Sequence, residues 1–277
     1  MHHILQIINK HMNKTSVFFI ILGCMAGSLL SSCEHVISKK VIFKEFVFDK
    51  KYPLTEIARK PNCKVDIEID YAVVPTEVAP IINAEIIKEI FDMEHITLQE
   101  AADSFAREYV ANYRAEMMPI LEYELQHNDK LPDWLDFEYD IRAKEKESIN
   151  GITSYEIEYE HYEGNIDPTL ATYELNFRVD NGQRITLEDI FIPEYEDELL
   201  ELLMQSLLDE YDCHTKEQLQ EQGLLLLTDL FITTNFRIDE WDVKFVYNPS
   251  EIGAAELGVI ELEIPYAEVK HLIKTTN

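Results

Sequence analysis

Apolar and polar residues alternate most plainly over 172–180, with Tyr173, Leu175, Phe177 and Val179 on one side and Glu174, Asn176, Arg178 and Asp180 on the other. This is the two-residue period of a strand with one buried face. The turn that follows has two registers to choose from. A two-residue loop at Asn181-Gly182 sets Phe177 against Thr186 and mixes the faces. A three-residue loop, Asp180-Asn181-Gly182 with Gly182 left-handed, sets Phe177 against Ile185. The second keeps apolar residues together and is the expected register.

The same period recurs three times with acids on the polar side. Val65, Ile67, Ile69, Tyr71 and Val73 alternate with Asp66, Glu68 and Asp70, as in an antiparallel strand solvated on one face. Leu135, Phe137, Tyr139 and Ile141 alternate with Asp136, Glu138 and Asp140; Tyr155, Ile157 and Tyr159 alternate with Glu156, Glu158 and Glu160. Asn150-Gly151 between the last two marks the turn of a hairpin or meander. Further strands are predicted over 41–48, 234–238, 243–247 and 259–264.

Helical spacing fills the rest. A helix is expected over 81–91. Thr97 and Glu100 form a capping box for another, whose stripe of Leu98, Ala101, Ala102, Phe105, Tyr109, Tyr113 and Met117 faces a core and which Pro119 ends or kinks. Beyond Pro193, the acids Glu194, Glu196, Asp197 and Glu198 suit the positive end of a buried helix. Shorter helices follow over 216–222 and from Pro265. Strands, helices, strands, helices, strands in that order predict an α+β fold with antiparallel sheets packed against helices. Two modules are expected, 41–165 and 166–277.

The amino terminus reads differently. Residues 17–30 are apolar or small, follow Lys10 and Lys14, and are too few to span a bilayer of roughly 30 Å, but they suit a signal peptide. Met12-Asn13-Lys14 is the more usual start to such a segment. Leu30-Ser31-Ser32-Cys33 resembles the bacterial lipobox, which implies cleavage after residue 32, acylation of Cys33 and a tether over 33–40 leading from a membrane in the cell envelope. An ordinary secretory signal with a chance cysteine is the alternative. Losing 1–32 removes two lysines and no acids, leaving 22 basic against 53 acidic residues, a net of −31. Such a balance excludes nucleic acid and anionic lipid as partners and leaves cationic ones open. Cys63 and Cys213 then remain; their separation in sequence leaves both a disulfide and two buried thiols open.

From Gly182 to Lys274 the sequence resembles the extracytoplasmic domain of unknown function shared by RsiV-type anti-sigma factors and PdaC-type peptidoglycan deacetylases. Asn176-Phe177, Gly182, the run Ile185-Thr186-Leu187-Glu188-Asp189-Ile190-Phe191, the run Val243-Lys244-Phe245-Val246-Tyr247-Asn248-Pro249-Ser250-Glu251-Ile252, Gly258 and Ile264-Pro265-Tyr266 carry the likeness. Residues 41–165 look like the module that usually precedes it. Two loops depart from the family: Glu163-Gly164-Asn165-Ile166-Asp167 replaces a Gly-Gly-Ala-His stretch, and Gly253-Ala254-Ala255-Glu256-Leu257 replaces Ala-Pro-Tyr-Ala. No stretch resembles the cytoplasmic anti-sigma segment or the metal-binding deacetylase domain, so the resemblance implies the ligand-facing part alone. It also implies a cationic protein such as lysozyme as ligand, because the RsiV relatives bind lysozyme.

Catalytic chemistry finds no foothold in the pattern. No His-Glu-x-x-His, Cys-x-x-Cys, Gly-x-Ser-x-Gly or phosphate loop is present, and 53 acids make any carboxylate pair uninformative. His161 among Glu158, Glu160 and Glu163 is the one metal-like grouping, weighed against a solvated histidine at a strand end. Asp129, Asp133, Asp136 and Asp140 lack the spacing and glycine of a calcium loop. The expectation is no catalytic residue, no metal and no cofactor. Two classes stand: a lipid-anchored binding or sensing module, and an enzyme or accessory acting on envelope glycans. The three acidic rows, Asp66, Glu68, Asp70, Asp136, Glu138, Asp140, Glu156, Glu158 and Glu160, are the candidate face for a cationic partner. Oligomeric state is left open.

Overall fold

The computed structural model describes residues 40–55, 61–128, 130–149, 151–164 and 167–274. The signal segment, Cys33 and the tether as far as residue 39 lie outside these residues, as does Asn150.

Each of the acidic rows belongs to a strand of one five-stranded sheet. Its strands are β1 (Ile42–Pro53), β2 (Asn62–Val74), β3 (Phe137–Ile149), β4 (Ile152–Glu163) and β5 (Thr169–Arg178), side by side in that order. The apolar side of the alternation is fully buried at Val65, Ile67, Ile69, Ile141, Tyr155 and Ile157. Helices α1 (Ala79–Phe91) and α2 (Leu98–His127) cover that face. The predicted capping box at Thr97 and Glu100 opens α2. Inside the core, the buried Tyr113 hydroxyl donates to the Leu135 carbonyl at 3.0 Å.

One expectation about this layer needs correction, and one is narrowed. Strands β2 and β3 pair in parallel, while the other pairs in the sheet are antiparallel. The reason is the connection: α1 and α2 carry the chain back across the sheet, so β3 enters from the same end as β2. Of the two outcomes expected at Pro119, an end or a kink, the end does not occur: α2 runs on to His127. Met117 and Leu121, on either side of it, are both buried, and their packing holds the helix across the missing backbone hydrogen bond.

The second core is built from α3 (Leu187–Ile190), α4 (Glu196–Glu210), α5 (Lys216–Glu221), α6 (Tyr266–Val269) and an antiparallel sheet of β6 (Phe236–Ile238), β7 (Asp242–Tyr247) and β8 (Ile260–Pro265). Leu199, Leu203 and Leu207 line one side of α4 and are fully buried with Phe245 and Leu262. The mixed α+β class is as expected.

The first core ends at Val179 and the second begins at Ile185. Strand β5 therefore belongs to the first sheet, and the two hydrophobic cores part between 179 and 185. The turn there also differs from expectation. Phe177 lies opposite Arg184, with the Arg178 amide donating to the Gln183 carbonyl at 2.9 Å and the Ile185 amide to the Asn176 carbonyl at 2.8 Å. Matching Phe177 to Ile185 presumed that both serve one core, whereas they serve different ones. Gly182 is left-handed as expected, with φ 75°, and a Cβ there would lie 3.0 Å from the Val78 carbonyl oxygen. Cys63 lies in the first core and Cys213 in the second, both as free thiols.

Asparagines join the two sheets. Asn248 Oδ1 accepts from the Thr172 amide and Asn235 Oδ1 from the Glu174 amide, each at 2.7 Å, so side chains stand where a sixth strand would continue the ladder beyond β5. Asn176 reaches the other way, donating to the Phe236 carbonyl at 2.7 Å and accepting from the Ile238 amide at 3.1 Å.

Candidate functional site

The sheet face away from the helices gathers the polar side of every strand. The pairing of β2, β3 and β4 sets Asp66 beside Asp140 and Glu160, and Glu68 beside Arg142 and Glu158. The three acidic rows are therefore neighbours. Like charges directly across a ladder destabilise it by roughly 0.2–1 kcal/mol per pair, and the strands themselves supply the remedy. Lys64 Nζ sits 2.6 Å from Glu138 and 3.1 Å from Asp66. Arg142 Nη2 reaches Asp66 at 3.1 Å and Asp140 at 3.2 Å. Lys144 holds Glu45 at 2.7 Å and stands 3.7 Å from Glu68 and 3.8 Å from Asp70.

Burial and pairing pull the acids apart. Burial works against the ionised Asp66, but hydrogen bonds from Lys64 and Arg142 outweigh it and hold its carboxyl below the ordinary range. For Asp140 burial wins: together with the charges of Glu138 and Asp66 it pushes the carboxyl up, against the pull of Lys64 and Arg142. The face is a lattice of alternating charge across β2 and β3, and on β4 it ends in the exposed acids Glu158 and Glu160.

The nine candidate residues accordingly occupy three kinds of place. Glu158 and Glu160 are exposed and have no hydrogen bond or ion pair among the described residues. Asp66, Glu68, Asp70, Glu138 and Asp140 face solvent in part, within reach of a cation. Asp136 and Glu156 are committed elsewhere. Asp136 Oδ1 accepts from the Asn62 amide at 2.7 Å and from its Nδ2 at 3.2 Å, tying the start of β2 to β3. Glu156 is only 9% exposed, held by Lys146 and by Arg237 Nη1 at 2.8 Å.

Arg237 belongs to β6, so this last contact joins the two sheets. The same Nη1 donates to Glu174 at 2.7 Å, and Nε donates to Asp239 at 2.9 Å. Glu174 faces Glu156 across the β4–β5 ladder and is 2% exposed. Burial first, then the neighbouring Glu156, pushes the Glu174 carboxyl up to about 8, with Arg237 pulling the other way. Its Oε2 meets no donor. Protonated, it becomes a donor itself, with Glu156 across the ladder to accept.

The sequence reading missed Lys64, Arg142 and Lys144, although the signal was present. Each stands an even number of residues from an acid in its own row and so shares that row's face. Arg237 gave no such signal, since its partners lie far along the chain. His161 falls on the opposite face from Glu158 and Glu160, stacked on Tyr139 with ring centroids 5.2 Å apart. The metal-like grouping is thus an artefact of adjacency in sequence. Among the described residues no group of three or more histidines, cysteines or acids is arranged to hold a metal ion, and no helix is long and apolar enough to cross a membrane.

Residues 188–267, nearly the whole of the second core, match the family described as Protein of unknown function (DUF3298). This stretch is similar to the DUF3298 family. A crystal structure of a DUF3298 family member from Bacteroides fragilis NCTC 9343 superposes with a TM-score of 0.76 at 23% identity, covering 86% of this chain and 95% of that one. A DUF3298 family protein from Pseudomonas aeruginosa PAO1 does so with a TM-score of 0.62 at 13% identity, covering 86% and 96%. Both likenesses are of fold, and both extend over the five-stranded layer as well as residues 188–267. No curated protein matches the sequence.

Proposed function

We propose that the protein is a lipid-anchored, non-catalytic binding module of the cell envelope whose ligand is a cationic protein, with lysozyme the model partner. The observation that carries this reading is the outer face of the first sheet. Glu158 and Glu160 stand exposed, with no ion pair among the described residues, at the end of a lattice whose other acids already alternate with cations. An incoming lysine or arginine meets carboxylates that are solvated, fixed on a strand and free to pair. Rigid placement lowers the ordering cost of such contacts, and a net charge of −29 steers a basic partner from a distance.

The test is titration of lysozyme into the protein at two salt concentrations. Binding should weaken steeply as salt rises, since the Debye length is about 10 Å at 0.1 M. Glu158→Gln with Glu160→Gln should weaken binding about tenfold or more without changing the melting temperature. Glu156 is left intact, because its carboxylate is buried in the junction with Arg237. No heat at low salt, or affinity indifferent to the double change, rejects the reading. The anchor has its own test. Mass spectrometry of the native amino terminus should find acylated Cys33, and Cys33→Ser should leave the membrane fraction.

A further inference from the structure

The two edges of the first sheet are finished differently. Asparagines seal β5, whereas β1 pairs with β2 alone, and among the described residues no backbone hydrogen bond reaches its outer side between Phe43 and Tyr52. Beside this edge lies a groove of about 960 Å³. Ile69 of β2, Ala84 and Ile87 of α1, and Met93 and Ile96 of the link between α1 and α2 form its apolar walls. Ligand pockets run to roughly 300–1,000 Å³, so this one has room for a sizeable side chain or two.

Glu45, Phe46 and Val47 all line the groove. Successive residues of a strand point to opposite faces, so three in a row at one cavity mean that it wraps around the edge of β1. The unpaired backbone of the strand is part of the wall. Val47, paired with Glu68 on the outer face, is 56% exposed there. No lysine or arginine lines the cavity, while Glu45 and Glu100 do, the first paired with Lys144 and the second capping α2.

We propose that β1 accepts an extended peptide segment of another protein as an added strand, with an apolar side chain of that segment in the groove and a basic one beside Glu45 and Glu100. Strand addition of this kind draws affinity from main-chain hydrogen bonds and specificity from pockets for alternate side chains. A second copy of this chain centred on Val47 is a poor occupant. Two β1 strands paired antiparallel about Val47 set Lys44 against Lys50 and Glu45 against Asp49, like charge on like along the ladder. The site is separate from the exposed carboxylates of β4, which lie three strands away.

The probe is a pool of acetylated heptapeptides alternating varied apolar residues with lysine, beside a pool with glutamate in place of lysine. The lysine pool should yield binders that shift amide resonances over 43–51 and on α1, and the glutamate pool should not. Ala84→Trp fills the groove from an exposed helical position and should weaken the selected peptides about tenfold or more with the melting temperature unchanged. N-methylation of alternate peptide amides, which removes strand hydrogen bonds and keeps the side chains, should abolish binding. No binder in the lysine pool, indifference to Ala84→Trp or to N-methylation, or dimerisation of the protein through residues 43–51 overturns the proposal.

Discussion

Replacing Arg237 with methionine tests how the two sheets are held together. The guanidinium donates to Glu156 and Glu174 at 2.8 and 2.7 Å and to Asp239 at 2.9 Å. Arg237 and both glutamates are less than a tenth exposed. Removing one partner of such a buried set costs about 3–5 kcal/mol, because the charges left behind are uncompensated. Two features place the cost near the lower bound at neutral pH: Lys146 still serves Glu156, and Glu174, its carboxyl pushed up to about 8 by burial, already holds a proton there and leaves no bare charge. The sign with pH then follows. A carboxyl whose folded value lies above its unfolded value binds more protons when folded, so its stabilisation is complete below the unfolded value near 4.5 and is lost as pH rises through about 8. Without Arg237 to favour the ionised form, Glu174 stays protonated to higher pH, and the variant goes on losing up to about 1.4 kcal/mol per pH unit where the parent has levelled off. Urea unfolding followed by circular dichroism, at about pH 6 and about pH 9, reads both effects. Glu174→Gln, which cannot titrate, should remove this contribution to the slope. A penalty for Arg237→Met below about 1 kcal/mol, or one equal at the two pH values, refutes the reasoning.

Asn235→Ala strips the buried Glu174 amide of its acceptor and should cost about 1–3 kcal/mol in the same unfolding assay. Gly182→Ala forces an L side chain into the left-handed region and toward the Val78 carbonyl, so it should cost more than the roughly 1–2 kcal/mol of the conformation alone. The Cys63 thiol is fully buried and pushed up to about 12 by that burial, so iodoacetamide should modify it only at the rate of unfolding, which peptide mapping against a denatured control measures.

Local pattern carried most of the fold. The alternation over 65–73, 137–141 and 155–159 was strong enough to place β2, β3 and β4, and Thr97 with Glu100 placed the start of α2. What escaped was set by distance along the chain. The parallel pairing of β2 with β3 depends on where α1 and α2 deliver the chain. The register at Gly182 depends on which core Ile185 enters, and the burial of Glu156 on Arg237 arriving from β6. Acidic rows read as one surface divide in space into paired, exposed and buried members, because the cations between them act across strands.

The parallel contact between β2 and β3 also bears on how the sheet comes together. β1 and β2 meet across a short connection, and β3, β4 and β5 follow one another directly, so both pieces close with small loss of chain entropy. The seam between them waits until the chain from Pro75 to Asp136 has wound into α1 and α2. Contacts so far apart in sequence slow folding, and until they form each piece has an exposed strand edge. The bonds from Arg142 to Asp66 and from Asn62 to Asp136 lie across that seam. They latch the two ribbons together, and a seam that closes late predicts that weakening them hastens unfolding more than it slows folding.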